Sequence, residues 1–177
     1  MGGGLSASTI AGVLGGCSAG REGERFIART LTEGKDQLVA TLAELIIPET
    51  DTPGARAARV HEFIDNMLTD WYEEEEAQAF LEGLDDLEQR VRVFGGDSFL
   101  GLNQEDQVAF LTKLEEEAYA WQNAGQDGET PFFSTIKSLT LFGYYTSEVG
   151  ATQELRVMPM GEYRGDVPFE EIGRAWA

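Results

Sequence analysis

The stretch VHEFIDNMLTDW, from Val60 to Trp71, sets the fold class. Its apolar residues recur at intervals of three and four, which is the pattern of an amphipathic helix with one buried face. This stripe consists of Val60, Phe63, Ile64, Met67, Leu68 and Trp71. The preceding sequence PETDTPGA, residues 48–55, is typical of a turn. We predict that Thr52 caps the helix and that Pro53 takes its first position, where a missing N–H costs nothing.

Two further segments on either side show the same periodicity. The apolar residues from Leu38 to Ile46 predict a helix that begins near Lys35 and that Pro48 ends. A run of glutamates then precedes a long series of periodic apolar residues, which predicts a third helix. The sequence GGD after Phe94 ends this helix. We expect the inward face of this helix to carry Ala77, Phe80, Leu81, Leu84, Leu87, Val91 and Phe94.

Two more helices follow in the second half of the chain. Asn103 is a favourable cap for the first of them, which runs to the sequence NAGQDGE, and the dipeptide Thr130-Pro131 favours the start of the second. Their predicted inward faces carry Val108, Leu111, Leu114, Ala118 and Trp121, and then Phe132, Phe133, Ile136, Leu139 and Phe142. The sequence therefore predicts an all-α, bundle-like domain of about five helices.

The two ends of the chain differ from this domain. Residues 1–34 are predicted to be a signal- or lipoprotein-like arm and linker, residues 35–148 the helical domain, and residues 149–177 an extended tail that packs on the domain or on a partner. The tail is rich in glycine and proline but also carries apolar side chains, namely Met158, Met160, Tyr163, Phe169 and Trp176.

Composition limits the classes of partner. The 177 residues include 13 lysines and arginines against 32 aspartates and glutamates, which gives a net charge of −19. Such a surface repels phosphate backbones and anionic lipid, so we expect no nucleic-acid partner. Beyond the first twenty residues, no apolar run reaches the roughly 18 residues that a membrane-spanning helix needs. Contact with a membrane is therefore expected only through a lipid anchor or through a complex.

The single cysteine, Cys17, lies in the N-terminal arm. The sequence LGGC that ends at Cys17 resembles a bacterial lipobox, in which the cysteine sulfur receives diacylglycerol. No lysine or arginine precedes it, although a signal peptide normally begins with a positive segment. Lipidation of Cys17 and a free thiol in a flexible arm therefore stay open as alternatives.

The residues give little indication of catalysis. His61 opens HEFID, which resembles the start of a zinc-binding HExxH, but Asp65 stands where the second histidine belongs. We interpret His61 and Asp65 as a hydrogen-bonded surface pair. Consecutive glutamates on a helix point in different directions and cannot converge on a cation. Ser134 and Ser138 match no triad pattern. We therefore predict no catalytic, metal-binding or cofactor-binding residue in this chain.

The last predicted helix carries aromatic residues around most of its circumference: Phe132, Phe133, Phe142, Tyr144 and Tyr145. Part of this surface must face something other than the helix's own core. Two interpretations stay open. The apolar tail can serve as a lid over the open end of its own domain, or the helix and the tail together can form a subunit interface.

Two stretches resemble a known family. The sequence from Leu42 to Trp71, with its turn IIPETDTPGA, and the sequence FFSTIKSLTLFGYYTSEVG, from Phe132 to Gly150, are similar to the gluconate 2-dehydrogenase subunit 3 family. These are the small, or gamma, subunits of bacterial flavin-dependent sugar and polyol dehydrogenases. The likeness covers roughly residues 35–177.

The resemblance implies an accessory role. In this family the large subunit is a flavoprotein of the glucose–methanol–choline (GMC) type that holds FAD and oxidises the substrate, and a multihaem cytochrome c often accepts the electrons. The small subunit carries the export signal, commonly twin-arginine. No twin arginine precedes the apolar segment here. The resemblance therefore implies a non-catalytic, cofactor-free subunit that helps to mature the catalytic subunit and to export it to the periplasm, by a route that stays open.

For this role we predict that a partner covers the turn, the last helix and the tail. The predicted interface residues are Pro48, Asp51, Pro53, Phe132, Phe142, Tyr144, Tyr145, Met158, Tyr163 and Trp176. The first alternative is a free-standing periplasmic lipoprotein that binds a small apolar ligand among its aromatic side chains. The second is a hydrolase or metalloenzyme that uses His61 or a buried carboxylate pair. A large exposed apolar patch favours the subunit, and an enclosed pocket favours the ligand-binding lipoprotein.

Overall fold

The computed structural model of the chain describes residues 26–125, 128–155 and 166–172. Five long helices lie within them: α1 (Glu33–Ile46), α2 (Val60–Asp70), α3 (Glu74–Phe94), α4 (Gln104–Asn123) and α5 (Phe132–Thr146). A short 3₁₀ helix (Phe99–Gly101), a π-helix (Gly150–Glu154) and the four-residue α6 (Phe169–Ile172) complete the elements. No strand occurs in these ranges, so the all-α prediction is confirmed. None of the helices described is both long and apolar enough to cross a bilayer.

Helix α5 is the central element of the bundle. It packs against α1, α2, α3 and α4, and the π-helix that follows also packs on it. The core that surrounds it contains Leu42, Ile64, Leu84, Phe99, Ile136 and Tyr144, each at most 1% exposed. Because α5 is enclosed on several sides, few positions along it remain available to another molecule.

Helix ends follow local rules at several of the predicted positions. The Asn103 side chain accepts a hydrogen bond from the Asp106 N–H at 2.9 Å, which confirms the predicted cap of α4. Helix α3 ends at Gly95, whose φ of 115° lies in the left-handed region that favours glycine. At α5 the prediction is wrong in detail, because Pro131 itself occupies the cap position and makes no side-chain cap bond.

The start of α2 differs from the prediction at Thr52 and Pro53. The helix begins at Val60, because the preceding chain is held in a turn. The Glu44 carboxylate accepts hydrogen bonds from the backbone N–H groups of Glu49 at 3.0 Å and Arg56 at 2.8 Å. Arg59 has a φ of 57°, which interrupts helical geometry immediately before α2.

The segment before α1 is attached to the domain and is not a free linker. The buried Asp65 carboxylate accepts three backbone hydrogen bonds, from Arg29 at 2.8 Å, Thr30 at 2.9 Å and Leu31 at 2.8 Å. Residues 29–31, which the sequence analysis assigns to the arm and linker, are therefore bonded to α2, and α1 begins two residues later at Glu33.

An exposed ion pair lies beside this attachment. The Arg29 guanidinium donates to both carboxylate oxygens of Asp70, at 2.9 and 2.6 Å, and this bonding holds the pKa of Asp70 below its usual value. A depressed carboxyl pKa contributes stability that is present above the ordinary aspartate pKa. That contribution is lost as the pH falls through the lowered pKa of the folded protein.

Some residues predicted to face inward are exposed. Trp71 is 78% exposed because it follows the last turn of α2, and Phe142 is 57% exposed because it lies on the outer face of α5. Phe94 and Val108 are 42% and 47% exposed, at the end of α3 and the start of α4. The periodic stripes therefore extend beyond the surface that the neighbouring helices cover.

Helices occupy most of the described part of the C-terminal region, at residues 150–154 and 169–172. Residues 150–154 form a π-helix, in which the Leu155 N–H donates to the Gly150 carbonyl five residues earlier at 2.9 Å. The Gly150 N–H donates to the Ser147 hydroxyl at 3.0 Å. A Cβ atom at Gly150 would lie 2.1 Å from the Tyr144 carbonyl oxygen, so the close approach to α5 requires glycine. The predicted positions Cys17, Met158, Tyr163 and Trp176 lie outside the described residues.

Candidate partner-binding surface

The turn before α2 and the C-terminal end of α5 lie next to each other. The Tyr144 hydroxyl donates to the Pro53 carbonyl at 2.8 Å, which joins residues 91 positions apart. The Thr52 hydroxyl donates to the Glu154 carboxylate at 3.1 Å, which joins the same turn to the π-helix. We call the exposed residues of this region the turn–α5 surface: Pro48, Asp51, Leu141, Phe142 and Tyr145. The structure thus places the turn and the last helix side by side.

The apolar part of the turn–α5 surface is formed by three side chains of α5. Phe142 is 57% exposed, Tyr145 38% and Leu141 37%. Their positions fall within about a third of the helical circumference, so they form one contiguous face. Aromatic side chains that remain exposed at the end of a central helix are typical anchors for a protein partner.

The exposed rings are ordered by their neighbours. Phe142 packs edge-on against Phe63 with a centroid distance of 5.7 Å, and Tyr145 packs edge-on against Tyr144 at 5.3 Å. Such contacts restrict the rotamers of both exposed rings before any partner binds. The entropy cost of ordering them on association is correspondingly small.

Tyr144 is a correction to the predicted interface. It is 1% exposed, because its ring is buried in the core on the inner side of α5, so its side chain is not available to a partner in this structure. Its phenol instead donates a hydrogen bond to the Pro53 carbonyl. Tyr144 therefore positions the turn, and the exposed surface belongs to its neighbours Phe142 and Tyr145.

Tyr144→Phe tests this positioning role. The substitution keeps the buried ring but leaves the Pro53 carbonyl without its donor, so we expect the free energy of unfolding to fall by about 1 kcal/mol in urea denaturation. Binding of a partner should survive, because the exposed side chains are unchanged. Loss of partner binding at unchanged stability would show instead that the Tyr144 phenol contacts the partner directly.

Pro53 and Phe132 occupy different environments from the exposed residues. Pro53 is half-buried under the Tyr144 hydroxyl bond. Phe132 is half-buried at the opposite end of α5, about 15 Å from Phe142 along the helix axis at 1.5 Å per residue. Its ring packs on Phe80 with a centroid distance of 5.2 Å. The structure therefore places Phe132 outside the turn–α5 surface.

The predicted pairing of His61 with Asp65 is wrong. Asp65 is fully buried and directs both carboxylate oxygens at the backbone of residues 29–31. His61 is partly buried, packs against the edge of Phe26, and has Nε2 3.9 Å from the Glu62 carboxylate. Within the described ranges no group of three or more histidine, cysteine, aspartate or glutamate side chains could hold a metal ion.

Asp36 lies near His61 and has an unusual carboxyl group. Its Oδ1 is buried without a hydrogen-bond partner. Burial raises the pKa of Asp36, the nearby His61 and Arg56 oppose this, and the charges of Asp65 and Glu62 add to it. The ionised form is therefore less favourable in the folded chain than in the unfolded chain.

Asp36→Asn is expected to raise the thermal unfolding midpoint at neutral pH, because it removes a carboxylate charge from this site. Because the pKa of Asp36 is higher in the folded chain than in the unfolded chain, ionisation of this carboxyl group destabilises the fold. The stability of the unsubstituted chain therefore falls as the pH rises from the pKa of the unfolded chain to the pKa of the folded chain. The gain from Asp36→Asn should therefore disappear below a pH of about 4. Glu33→Gln, an exposed residue in the same helical turn, is the control and should give no gain. An equal effect of both variants would contradict the assignment to burial.

The clefts formed by described residues bear on the ligand-binding alternative. Clefts of about 790, 320 and 140 Å³ are open to solvent. An enclosed apolar pocket was the feature expected of a small-ligand carrier. These open clefts give that alternative no support.

The amino-acid sequence matches the model of one protein family. Residues 33–163, well over half of the chain, match the family model described as Gluconate 2-dehydrogenase subunit 3. No curated protein and no solved structure matches the chain. The matched range includes all five long helices and the whole turn–α5 surface. The chain therefore belongs to the gluconate 2-dehydrogenase subunit 3 family, whose name is that of a subunit of a dehydrogenase complex.

Proposed function

We propose that this chain is the non-catalytic small subunit of a flavin-dependent sugar or polyol dehydrogenase, and that it binds the catalytic subunit through the turn–α5 surface. The observation that carries the proposal is the pair of ordered, exposed rings of Phe142 and Tyr145 at the end of the central helix, inside the range that matches the family. A partner that covers these rings would gain apolar burial at little conformational cost.

The proposal assigns the chemistry to the partner. A GMC-type catalytic subunit would hold FAD and oxidise the substrate, and a multihaem cytochrome c would supply haem c if the complex contains a third subunit. This chain would contribute an apolar docking surface and a fixed helical scaffold. The choice of sugar would then lie outside this chain.

The proposal also assigns maturation and export to this chain. Residues 29–31 are bonded to Asp65 on α2, so the segment that follows the N-terminal arm is fixed to the helices. An arm joined firmly to a partner-binding domain would carry a folded passenger to the periplasm. Acylation of Cys17 would then anchor the complex to the membrane.

Co-expression of the catalytic subunit with and without this chain tests the proposal. We expect flavin-loaded catalytic subunit in the periplasmic fraction only when this chain is present. A variant that lacks residues 1–25 should still bind the catalytic subunit but leave the complex in the cytoplasm. Equal export of flavin-loaded enzyme without this chain would contradict the proposed role in export.

A further inference from the structure

A cleft of about 790 Å³ lies between α3, α4 and the start of α5. Its floor is apolar and includes Phe80, Leu87, Leu114 and Phe132. It shares no residue with the turn–α5 surface. The two features lie towards opposite ends of α5, about 15 Å apart at 1.5 Å per residue. The cleft is therefore a separate concave surface of the domain.

The floor of the cleft is closely packed. The Phe132 ring lies directly over Gly83 of α3, where an added Cβ would be 2.2 Å from the Phe132 Cδ2. The same ring packs edge-on against Phe80 at a centroid distance of 5.2 Å. A glycine in the middle of a helix is unfavourable by itself, and here it gives the Phe132 ring room to approach the helix. The apolar floor is thus a built feature rather than a gap between helices.

The rim of the cleft is strongly acidic. The carboxylates that line it are Glu76, Glu82, Asp86, Glu117 and Glu129, and the one lysine or arginine among the lining residues is Arg90. Arg90 is paired with Glu117 at 2.6 Å, so its charge is already balanced. Burial, together with the charge of Glu76, raises the pKa of the Tyr72 phenol, which also lines the cleft. The rim therefore presents uncompensated negative charge to an occupant.

Two of these carboxylates are available for new contacts. Glu76 accepts the Glu73 N–H at 3.1 Å, and Glu82 accepts the Gln78 side-chain amide at 3.0 Å. Asp86 and Glu129 are exposed and have neither a hydrogen bond nor an ion pair among the described residues. Cationic side chains of an occupant would reach Asp86 and Glu129 without breaking an existing contact.

The negative charge of the cleft limits which molecules can bind in it. A nucleic acid, an anionic ligand or an equally acidic face of a second copy would be repelled. A small apolar molecule would contact the apolar floor but would place no positive charge opposite the acidic rim. A protein segment that combines an apolar side chain with flanking lysine or arginine complements both parts.

We infer that this cleft is a second docking site, which takes a basic segment of a partner protein. An apolar side chain of the segment lies on Phe132, and its lysine or arginine side chains pair with Asp86 and Glu129. The inference does not depend on the proposed function, because it concerns a different surface. Where the proposed function also holds, the two surfaces would let one small chain hold two proteins at once.

Peptide binding to the full-length chain tests this inference. The fluorescently labelled peptide KKLFKK should bind, and its affinity should fall as the salt concentration rises. Asp86→Asn combined with Glu129→Gln should weaken binding about fivefold, because two partly desolvated ion pairs are lost. The matched control is Asp97→Asn combined with Glu116→Gln, which removes the same charges from exposed positions that do not line the cleft. The control should leave the affinity within about twofold. The peptide KKSSKK, which lacks the apolar pair, should bind more weakly than KKLFKK.

Three results would overturn the inference. An equal loss in both double variants would show diffuse attraction to an acidic chain. Absence of KKLFKK binding to the full-length chain would show that the cleft does not take such a segment. Binding that appears only after Arg156→Ala and Arg164→Ala would assign the cleft to the chain's own residues 156–165.

Discussion

Replacing Phe142 and Tyr145 together by aspartate is expected to abolish co-purification of the catalytic subunit with this chain. The two rings form the apolar part of the turn–α5 surface and are 57% and 38% exposed. Burying two carboxylates in an apolar interface removes the anchors and adds a desolvation cost. At about 2 kcal/mol for each anchor, the affinity should fall by roughly a factor of 1,000 or more.

The isolated double variant should remain folded, because neither side chain is part of the buried core. Circular dichroism should show the helical content of the unsubstituted chain, with a small loss of stability from the Phe63–Phe142 contact. The control is Val93→Asp combined with Trp71→Asp, at positions that are 91% and 78% exposed and are not part of this surface. The control variant should still co-purify with the catalytic subunit. If the Phe142 and Tyr145 variant unfolds, the two residues support the fold and the interface assignment is wrong.

Asp65→Asn is expected to cause the largest loss of stability of any isosteric change in the domain. The fully buried carboxylate accepts N–H groups from three successive residues, and an asparagine offers one oxygen and directs an NH₂ group at another donor. With the amide oxygen kept on Thr30 and Leu31, the NH₂ group faces the Arg29 N–H, and leaving that donor without an acceptor and opposite another donor should cost about 2–4 kcal/mol. Urea denaturation followed by circular dichroism measures this loss.

Asp70→Asn is the matched control for Asp65→Asn. Asp70 pairs with Arg29 of the same segment, but both side chains are about half exposed, so the variant should lose far less stability than Asp65→Asn. Protease cleavage near residues 26–32 should rise sharply in the Asp65 variant and little in the Asp70 variant. A similar, small stability loss in both would contradict the role of Asp65 as the attachment point of this segment.

Local rules account for the elements that sequence analysis predicts correctly. Helices α1, α3 and α4 have periodic apolar residues together with end signals such as Asn103 and Gly95, and these signals act within a few residues. The start of α2 depends on distant partners instead. The carboxylate of Glu44 and the hydroxyl of Tyr144 hold the preceding turn, and no pattern within that turn indicates either contact.

The candidate site also depends on contacts between distant residues, which spacing along the sequence does not indicate. Spacing suggests that Asp65 pairs with His61 one turn away, whereas its donors lie 34 to 36 residues earlier in the chain. Spacing also groups Phe132, Tyr144 and Phe142 as one aromatic surface. Because α5 is enclosed by four helices, its aromatic residues divide among a cleft, the core and the exposed surface. Only the packed structure separates these environments.

The most direct test of the central claim is to express this chain with its neighbouring open reading frames, purify it by an affinity tag, and record the visible absorbance spectrum of the product. We predict a stoichiometric complex with a larger polypeptide and the absorbance bands of a bound flavin. Recovery of this chain alone, folded and colourless, although the neighbouring dehydrogenase is expressed, would contradict its assignment as the subunit that binds the flavoprotein.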